Sequence, residues 1–271
     1  MTLVDIGANL AHESFDADRQ DVRQRAHAAG VHAMVVTGSD HASNASAVEL
    51  ARTENDLAAT AGLHPHHAES WGDALAEQIA DAAGAGDIAA VGEAGLDYFR
   101  DLSPRDAQAT AFEAQLDIAR RHQLPVFLHQ REAHADFAAI LKNTIDDLPA
   151  AVVHCFTGDR DALETYLELG CHIGITGWIC DERRGQSVAR LLPEIPSDRL
   201  MIETDCPFLL PRSLDSKPAT RRNEPSFLPE VARAAAVARG ESVSALASAT
   251  TATAERFFGL KERHAAASVA K

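Results

Sequence analysis

Apolar residues recur along this chain in short runs, each followed by a longer amphipathic stretch. The runs lie at 3–6, 33–37, 57–62, 88–92, 125–128, 151–153, 172–175 and 200–202. Most lack strict polar alternation, which predicts strands buried on both faces, as in parallel sheets. Helices are predicted at 16–29, 42–53, 73–83 and 183–192, with two more at 226–238 and 242–257. Others are marked by Phe137, Ile140 and Leu141, and by Leu163, Tyr166 and Leu167, at helical spacing. Gly30 and Gly170 are suited to helix ends. The clearest helix opens at Ser103-Pro104, a cap followed by a proline suited to the first turn, with Asp106 three residues on from Ser103. Phe112, Leu116 and Ala119 then share one face. The tail at 261–271 is expected to fray.

Eight strands alternating with helices, without a linker or a repeat, predict one α/β domain over residues 1–260. A closed (β/α)8 TIM barrel fits best. A doubly wound open sheet is the alternative, weakened because no GxGxxG follows the first strand.

Composition narrows the function classes. The chain has 271 residues, of which 46% are hydrophobic, enough for a sizeable core. Its formal net charge of −15 argues against a broad basic face for duplex nucleic acid. It leaves room for a nucleic-acid enzyme whose positive charge is local, a metal ion plus a few arginines. Cys155, Cys171, Cys180 and Cys206 are too scattered for a disulfide framework, and no CxxC occurs. They read as reduced thiols of a cytoplasmic protein. No basic region followed by an apolar run opens the chain, and no stretch has the roughly 18 apolar residues of a membrane span.

The candidate chemistry gathers at strand ends. Asp5, His64, Glu93, His129, His154 and Asp205 all lie at or just past the C-terminal ends of predicted strands. In a barrel those ends form one face. Any one of them reads as a hydrogen-bonded core histidine or a turn carboxylate; together they form a His/carboxylate set suited to a divalent metal. His66 and His67 read as loop residues. Arg160, Arg212, Lys217, Arg221 and Arg222 sit on loops, where Arg221-Arg222 is a reasonable contact for a phosphate backbone. Trp71, Tyr98, Phe99 and Trp178 serve either loop packing or base stacking.

Several blocks resemble the TatD-type metal-dependent nucleases, a branch of the amidohydrolase-like barrels. They are Val91-Gly92-Glu93-Ala94-Gly95-Leu96-Asp97-Tyr98, Pro125 to Arg131, His154-Cys155-Phe156-Thr157-Gly158 and Glu203-Thr204-Asp205-Cys206-Pro207. Leu209-Leu210-Pro211-Arg212 and Arg221-Arg222-Asn223-Glu224-Pro225 continue the match. The resemblance implies a (β/α)8 barrel and metal-dependent 3′-to-5′ exonuclease action, mainly on single-stranded DNA, with RNA as a further candidate. It implies Glu93, His129 and His154 as metal ligands, Asp205 as a metal contact or catalytic carboxylate, and His64 beside substrate or the catalytic water. Arg131 would touch phosphate or support a ligand. Mg²⁺ is the expected ion, with Mn²⁺ or Zn²⁺ able to replace it. Most of the family carries Asp-x-His-x-His on the first strand; here the sequence is Asp5-Ile6-Gly7-Ala8-Asn9. One firm metal site is therefore expected, with at most a weak second ion at Asp5 and Asp205. Glu203 is expected to be buried, supporting a partner such as an arginine. No membrane or obligate protein partner is implied, and a monomer is expected.

Two other readings stay open. A metal-bound water can also attack an ester or amide carbon, as in a deacylase or amidohydrolase such as a D-aminoacyl-tRNA deacylase. A barrel with a decayed site kept for binding is the non-enzymatic alternative.

Overall fold

Each of the eight apolar runs forms a strand in the computed structural model, which describes residues 1–216, 218–261 and 263. The strands are β1 (Leu3–Ala8), β2 (Val31–Val36), β3 (Leu57–Ala61), β4 (Ala90–Asp97), β5 (Val126–Arg131), β6 (Ala151–Val153), β7 (His172–Ile175) and β8 (Leu200–Ile202). The helices are α1 (Arg19–Ala28), α2 (His41–Thr53), α3 (Asp73–Ala85), α4 (Arg105–His122), α5 (His134–Lys142), α6 (Arg160–Glu168), α7 (Gln186–Leu191), α8 (Leu228–Arg239) and α9 (Val243–Phe258). Strand order follows chain order from β1 to β8. That sequential order belongs to a (β/α)8 barrel rather than to a doubly wound sheet, whose order reverses at a switch point. The expected frayed tail, apart from Lys261 and Arg263, lies outside the described residues, as does Lys217.

Contacts divide the chain into two compact units. The first comprises Met1–Val36, Cys155–Arg160 and the described residues from Ile173 onward; the second comprises Thr37–His154 and Asp161–His172.

In the second unit, β3 to β6 pair in parallel. Two strands run further than their apolar cores suggest. β4 continues past Gly92 to Asp97, and β5 past Leu128 to Arg131. Glu93 and His129 therefore lie inside strands, not just beyond them. The added register is Ala94↔Leu128, Gly95↔His129, Leu96↔Gln130 and Asp97↔Arg131. Glycine makes this approach possible. Gly92 and Gly95 have φ of 140° and 145°, and a Cβ on Gly95 would sit 1.9 Å from the His129 carbonyl oxygen.

Helix α4 packs on β4 and carries more than the apolar stripe. Phe112 stacks on Phe137 of α5, with ring centroids 5.2 Å apart. Gln108 and Gln115 are each 1% exposed, on the same face as Phe112 and Ala119. Gln115 accepts from the Leu63 N–H at 2.7 Å and donates to the Leu63 carbonyl at 3.2 Å. Gln108 accepts from the Asp97 N–H at 2.9 Å and donates to the Ser103 and Asp97 carbonyls. Both glutamines thus satisfy buried backbone groups at strand ends, which would otherwise be costly. The start of α4 departs from expectation. Pro104 precedes the first helical residue, and the Ser103 hydroxyl donates to the His66 carbonyl at 2.9 Å instead of capping the helix.

In the first unit, β1 pairs with β2 and β7 with β8. The chain after β8 joins β1 through an Ala8↔Cys206 bridge and an Asp205 N–H bond to the Gly7 carbonyl at 2.8 Å. Asp5 locks this junction. It is fully buried, and the Thr204 hydroxyl donates to its Oδ2 at 2.5 Å. Its Oδ1 accepts from the N–H groups of Thr204 at 2.9 Å and Gly7 at 3.3 Å. Asn223 in turn donates to the Thr204 carbonyl at 2.9 Å.

Burial raises the Asp5 pKa from 3.8 to about 7, against the opposing pull of the Thr204 hydrogen bonds. The folded chain then keeps a proton that the unfolded chain releases near pH 3.8. Asp5 therefore costs stability progressively as pH rises from about 4 to about 7, and its full cost persists above that window. Asp5→Asn removes this titration while keeping the acceptor for Thr204 and Gly7. The melting temperature of Asp5→Asn minus that of the wild type is expected to be larger at pH 8 than at pH 5. An equal difference at both pH values would contradict the assignment.

Candidate metal centre

Three strands of the second unit each bring one histidine to a single carboxylate oxygen carried by a fourth, β4. Glu93 in β4 is 6% exposed. Its Oε1 lies 2.8 Å from His154 Nε2, 2.9 Å from His129 Nδ1 and 3.3 Å from His64 Nε2. His129 belongs to β5, while His64 and His154 follow β3 and β6. His154 Nε2 and His129 Nδ1 are 3.4 Å apart. Burial pushes the Glu93 pKa up, but the neighbouring His154 and His64 and the hydrogen bonds from His129 and His154 prevail, holding it well below the usual range. Burial works against the charged form of His129, yet Asp97 and Glu93 prevail and raise its pKa.

The donors suit a divalent cation. With metal–ligand bonds of about 2.1 Å, adjacent donors stand about 3.0 Å apart in an octahedron and about 3.4 Å in a tetrahedron. The spacings among Glu93, His129 and His154, from 2.8 to 3.4 Å, span both values. One carboxylate oxygen with imidazole nitrogens is a set that Mn²⁺ and Zn²⁺ accept readily and Mg²⁺ tolerates.

His64 is held differently, although it forms with Glu93 and His129 a group of potential ligand atoms within 4.8 Å of one another. Its Nδ1 accepts the His66 N–H at 3.1 Å. A neutral imidazole with Nδ1 accepting carries its proton on Nε2, which here faces Glu93. Burial lowers the His64 pKa to about 4, so the ring is neutral at pH 7. It presents a donor, where His129 and His154 can present lone pairs.

Asp97 at the end of β4 is a buried carboxylate beside the centre that the strand-end pattern passed over. It is 1% exposed. Its Oδ2 meets His66 Nε2 at 2.8 Å and His129 Nε2 at 3.3 Å. Its Oδ1 accepts the N–H groups of Phe99 at 3.0 Å and Arg100 at 2.8 Å. Burial opposes its charge, but the histidine and backbone hydrogen bonds prevail and hold its pKa far down. A carboxylate on Nε2 turns the Nδ1 lone pair of His129 toward Glu93, the usual arrangement behind a metal-bound imidazole. The signal was present in the sequence: Glu93 and Asp97 are four apart in a strand and share a face.

Other expected residues have their own surroundings. Arg131 shares the His129 face of β5, and its guanidinium lies 4.1 Å from the centroid of the Phe99 ring. In the first unit, Asp205 Oδ1 accepts from the Asn9 amide at 3.1 Å, and the Asp205 backbone has φ 53°. Glu203 is fully buried, and its Oε1 accepts the Cys155 N–H at 2.6 Å. Asp5 gives both oxygens to Thr204 and Gly7. Arg222 pairs with Asp18 at 2.7 Å and Glu224 at 3.0 Å and donates to the Ser14 carbonyl, whereas Arg221 is exposed.

Comparison with known proteins shows the family to which the chain belongs. The family model described as TatD related DNase matches residues 4–259. The 3′-5′ ssDNA/RNA exonuclease TatD of Rahnella sp. (strain Y9602) is 48% identical over 262 residues, covering 96% of this chain and all of that protein. Its namesake from Pectobacterium carotovorum subsp. carotovorum (strain PC1) is 49% identical over 259 residues, covering 95% of this chain and all of the relative. Among solved structures, a TatD homologue from Escherichia coli k12 superposes with a TM-score of 0.87 at 30% identity, covering 95% of this chain and 98% of that one. A hydrolase of the TatD family from Entamoeba histolytica shares the fold, with a TM-score of 0.85 at 24% identity over 95% of this chain and 98% of its own. From its length-wide match and from the carboxylate–histidine centre in its second unit, the chain belongs to the TatD-related DNase family.

Proposed function

We propose that this protein is a metal-dependent 3′-to-5′ exonuclease that hydrolyses phosphodiester bonds of single-stranded DNA, with RNA as a second substrate. The observation that carries this reading is the convergence of three imidazole nitrogens on Glu93 Oε1, backed by Asp97. The relatives named as ssDNA/RNA exonucleases support the substrate class.

Glu93, His129 and His154 would hold the ion, and Asp97 would keep His129 turned toward it. A bound divalent cation supplies a water of lowered pKa and neutralises charge building on the phosphate. His64, neutral with its proton on Nε2, donates a hydrogen bond to the attacking water or to a phosphate oxygen. Asp205, whose Oδ1 accepts from the Asn9 amide, would serve as the carboxylate that orients and deprotonates the attacking water. Arg221 is the better placed of the arginine pair to meet a phosphate backbone, because Arg222 is engaged by Asp18 and Glu224. A second ion at Asp5 and Asp205 is not part of this reading, since Asp5 serves the β1–β8 junction. We assign Mg²⁺ as the physiological ion, with Mn²⁺ or Zn²⁺ able to replace it. We read residues 1–260 as one hydrolase domain, consistent with a family match over 4–259. A monomer working in the cytoplasm is our reading of the setting; the four cysteines form no disulfide, in keeping with a reducing compartment. No helix among the described residues is long and apolar enough to cross a membrane.

With Mg²⁺, the purified protein is expected to shorten a single strand from its 3′ end, with a 3′-blocked strand resisting and EDTA abolishing the activity. Asp205→Asn is expected to bind metal as the wild type does and to lose at least about 100-fold in kcat, the scale of one general-base contribution. Full activity in that variant would remove Asp205 from the mechanism. Hydrolysis of an aminoacyl ester, with nucleic acid left intact, would favour the deacylase. Asp97→Asn is expected to weaken Mn²⁺ binding by about 10- to 100-fold, the usual cost of losing the partner behind a ligating histidine. Calorimetric titration of the folded variant checks this, and unchanged affinity would contradict it.

A further inference from the structure

The loop after β4 carries two large apolar side chains to the surface within a few residues of the metal centre. Phe99 is 50% exposed and Leu102 is 60% exposed. The same loop is tied firmly at its root. The Phe99 and Arg100 N–H groups are both held by Asp97 Oδ1, while the other oxygen of that carboxylate meets His129. The Tyr98 N–H bonds to the Arg131 carbonyl at 2.9 Å, and its hydroxyl donates to Asp136 at 2.9 Å. The Phe99 ring therefore stands on an anchored backbone. Phe99 is two positions from Asp97, so their Cα atoms are at most about 7 Å apart.

One face of this ring has a partner. The Arg131 guanidinium lies over Phe99 at 4.1 Å from its centroid. Arg131 and His129 are two apart in β5 and point to the same side. Burying half of a phenylalanine against an arginine while leaving the rest in water does little for the core, and costs apolar exposure. A nucleobase is the ligand that such a platform takes. Every base has a flat π face, and stacking on an aromatic ring backed by arginine binds single strands without regard to sequence. The choice also suits a chain of net charge −15, in which attraction for nucleic acid has to be local.

We propose that the exposed face of Phe99, backed by Arg131, is the stacking site for a base flanking the scissile phosphate, fixing the 3′ end of a single strand at the metal centre. This rests on the exonuclease reading above. It assigns Phe99 a substrate contact and makes an unstacked base a requirement for tight binding. Duplex ends, whose bases are already stacked on each other, would then be poor substrates.

The test compares wild type, Phe99→Ala and Phe99→Trp on single-stranded oligomers that are intact or abasic at the terminal or penultimate 3′ position, with Mn²⁺ titrated into each protein as a control. Phe99→Ala is expected to bind Mn²⁺ normally and to raise KM for the intact strand about tenfold or more, with kcat little changed. Phe99→Trp is expected to restore KM. For one of the two abasic strands, wild type and Phe99→Ala are expected to share the same high KM, which identifies the stacked base. An unchanged KM for Phe99→Ala on the intact strand would overturn the proposal. So would a KM penalty of the same size on both abasic strands, since the ring would then act on something other than a base. If the wild type shortens none of the strands, the exonuclease reading itself falls, and the site assignment falls with it.

Discussion

A buried carboxylate is costly unless its charge is met, and in this chain Glu93 is met by three imidazoles at one oxygen. Much of the second unit's local structure serves that arrangement. Gly92 and Gly95 let β4 lie against the β5 backbone closely enough to carry the strand past its apolar core. That extension puts Glu93 and Asp97 on one face and aligns Gly95 with His129. A side chain at either glycine would collide with a carbonyl oxygen of β5, so the ligand geometry and the strand pairing are the same constraint.

The centre is held from behind by uncharged groups as well. Gln108 and Gln115 reach from α4 to the backbone of Asp97 and Leu63, the residues at or next to two of the functional side chains. Asp97 then divides its labour. One oxygen steers His129 and His66, and the other ties down the loop that exposes Phe99. The proposed metal ligand His129 and the loop proposed to meet substrate are thereby tied to a single side chain. In the first unit, Asp5 has a related structural duty at the junction of β1 and the segment after β8, where Asn9 also meets Asp205.

Strand positions were legible because buried parallel strands read as unbroken apolar runs, and β6, β7 and β8 match their runs residue for residue. The ligand candidates were legible because His and Glu after such runs stand out. What escaped detection depended on geometry that no local pattern records. Asp97 drew no notice because the apolar run of β4 stops at Gly92; its four-residue spacing from Glu93 becomes a shared face only once the register with β5 shows that the strand continues. Gln108 and Gln115 fall on the apolar stripe of α4, where a polar residue carries no sign of which backbone it will satisfy. Arg222 looked available for phosphate, yet its partner Asp18 is 204 positions away in sequence. The Ser103 hydroxyl was diverted from capping α4 by a carbonyl in the loop after β3.

The central claim is that Glu93, His129 and His154 bind one divalent ion. Pulsed electron paramagnetic resonance of Mn²⁺ bound to protein labelled with ¹⁵N-histidine reads this directly. The account predicts coupling to two imidazole nitrogens in the wild type, loss of one coupling in His129→Ala and in His154→Ala, and loss of the bound ion in a folded Glu93→Gln variant. Tight Mn²⁺ binding without imidazole coupling, or binding that survives Glu93→Gln unchanged, would contradict it.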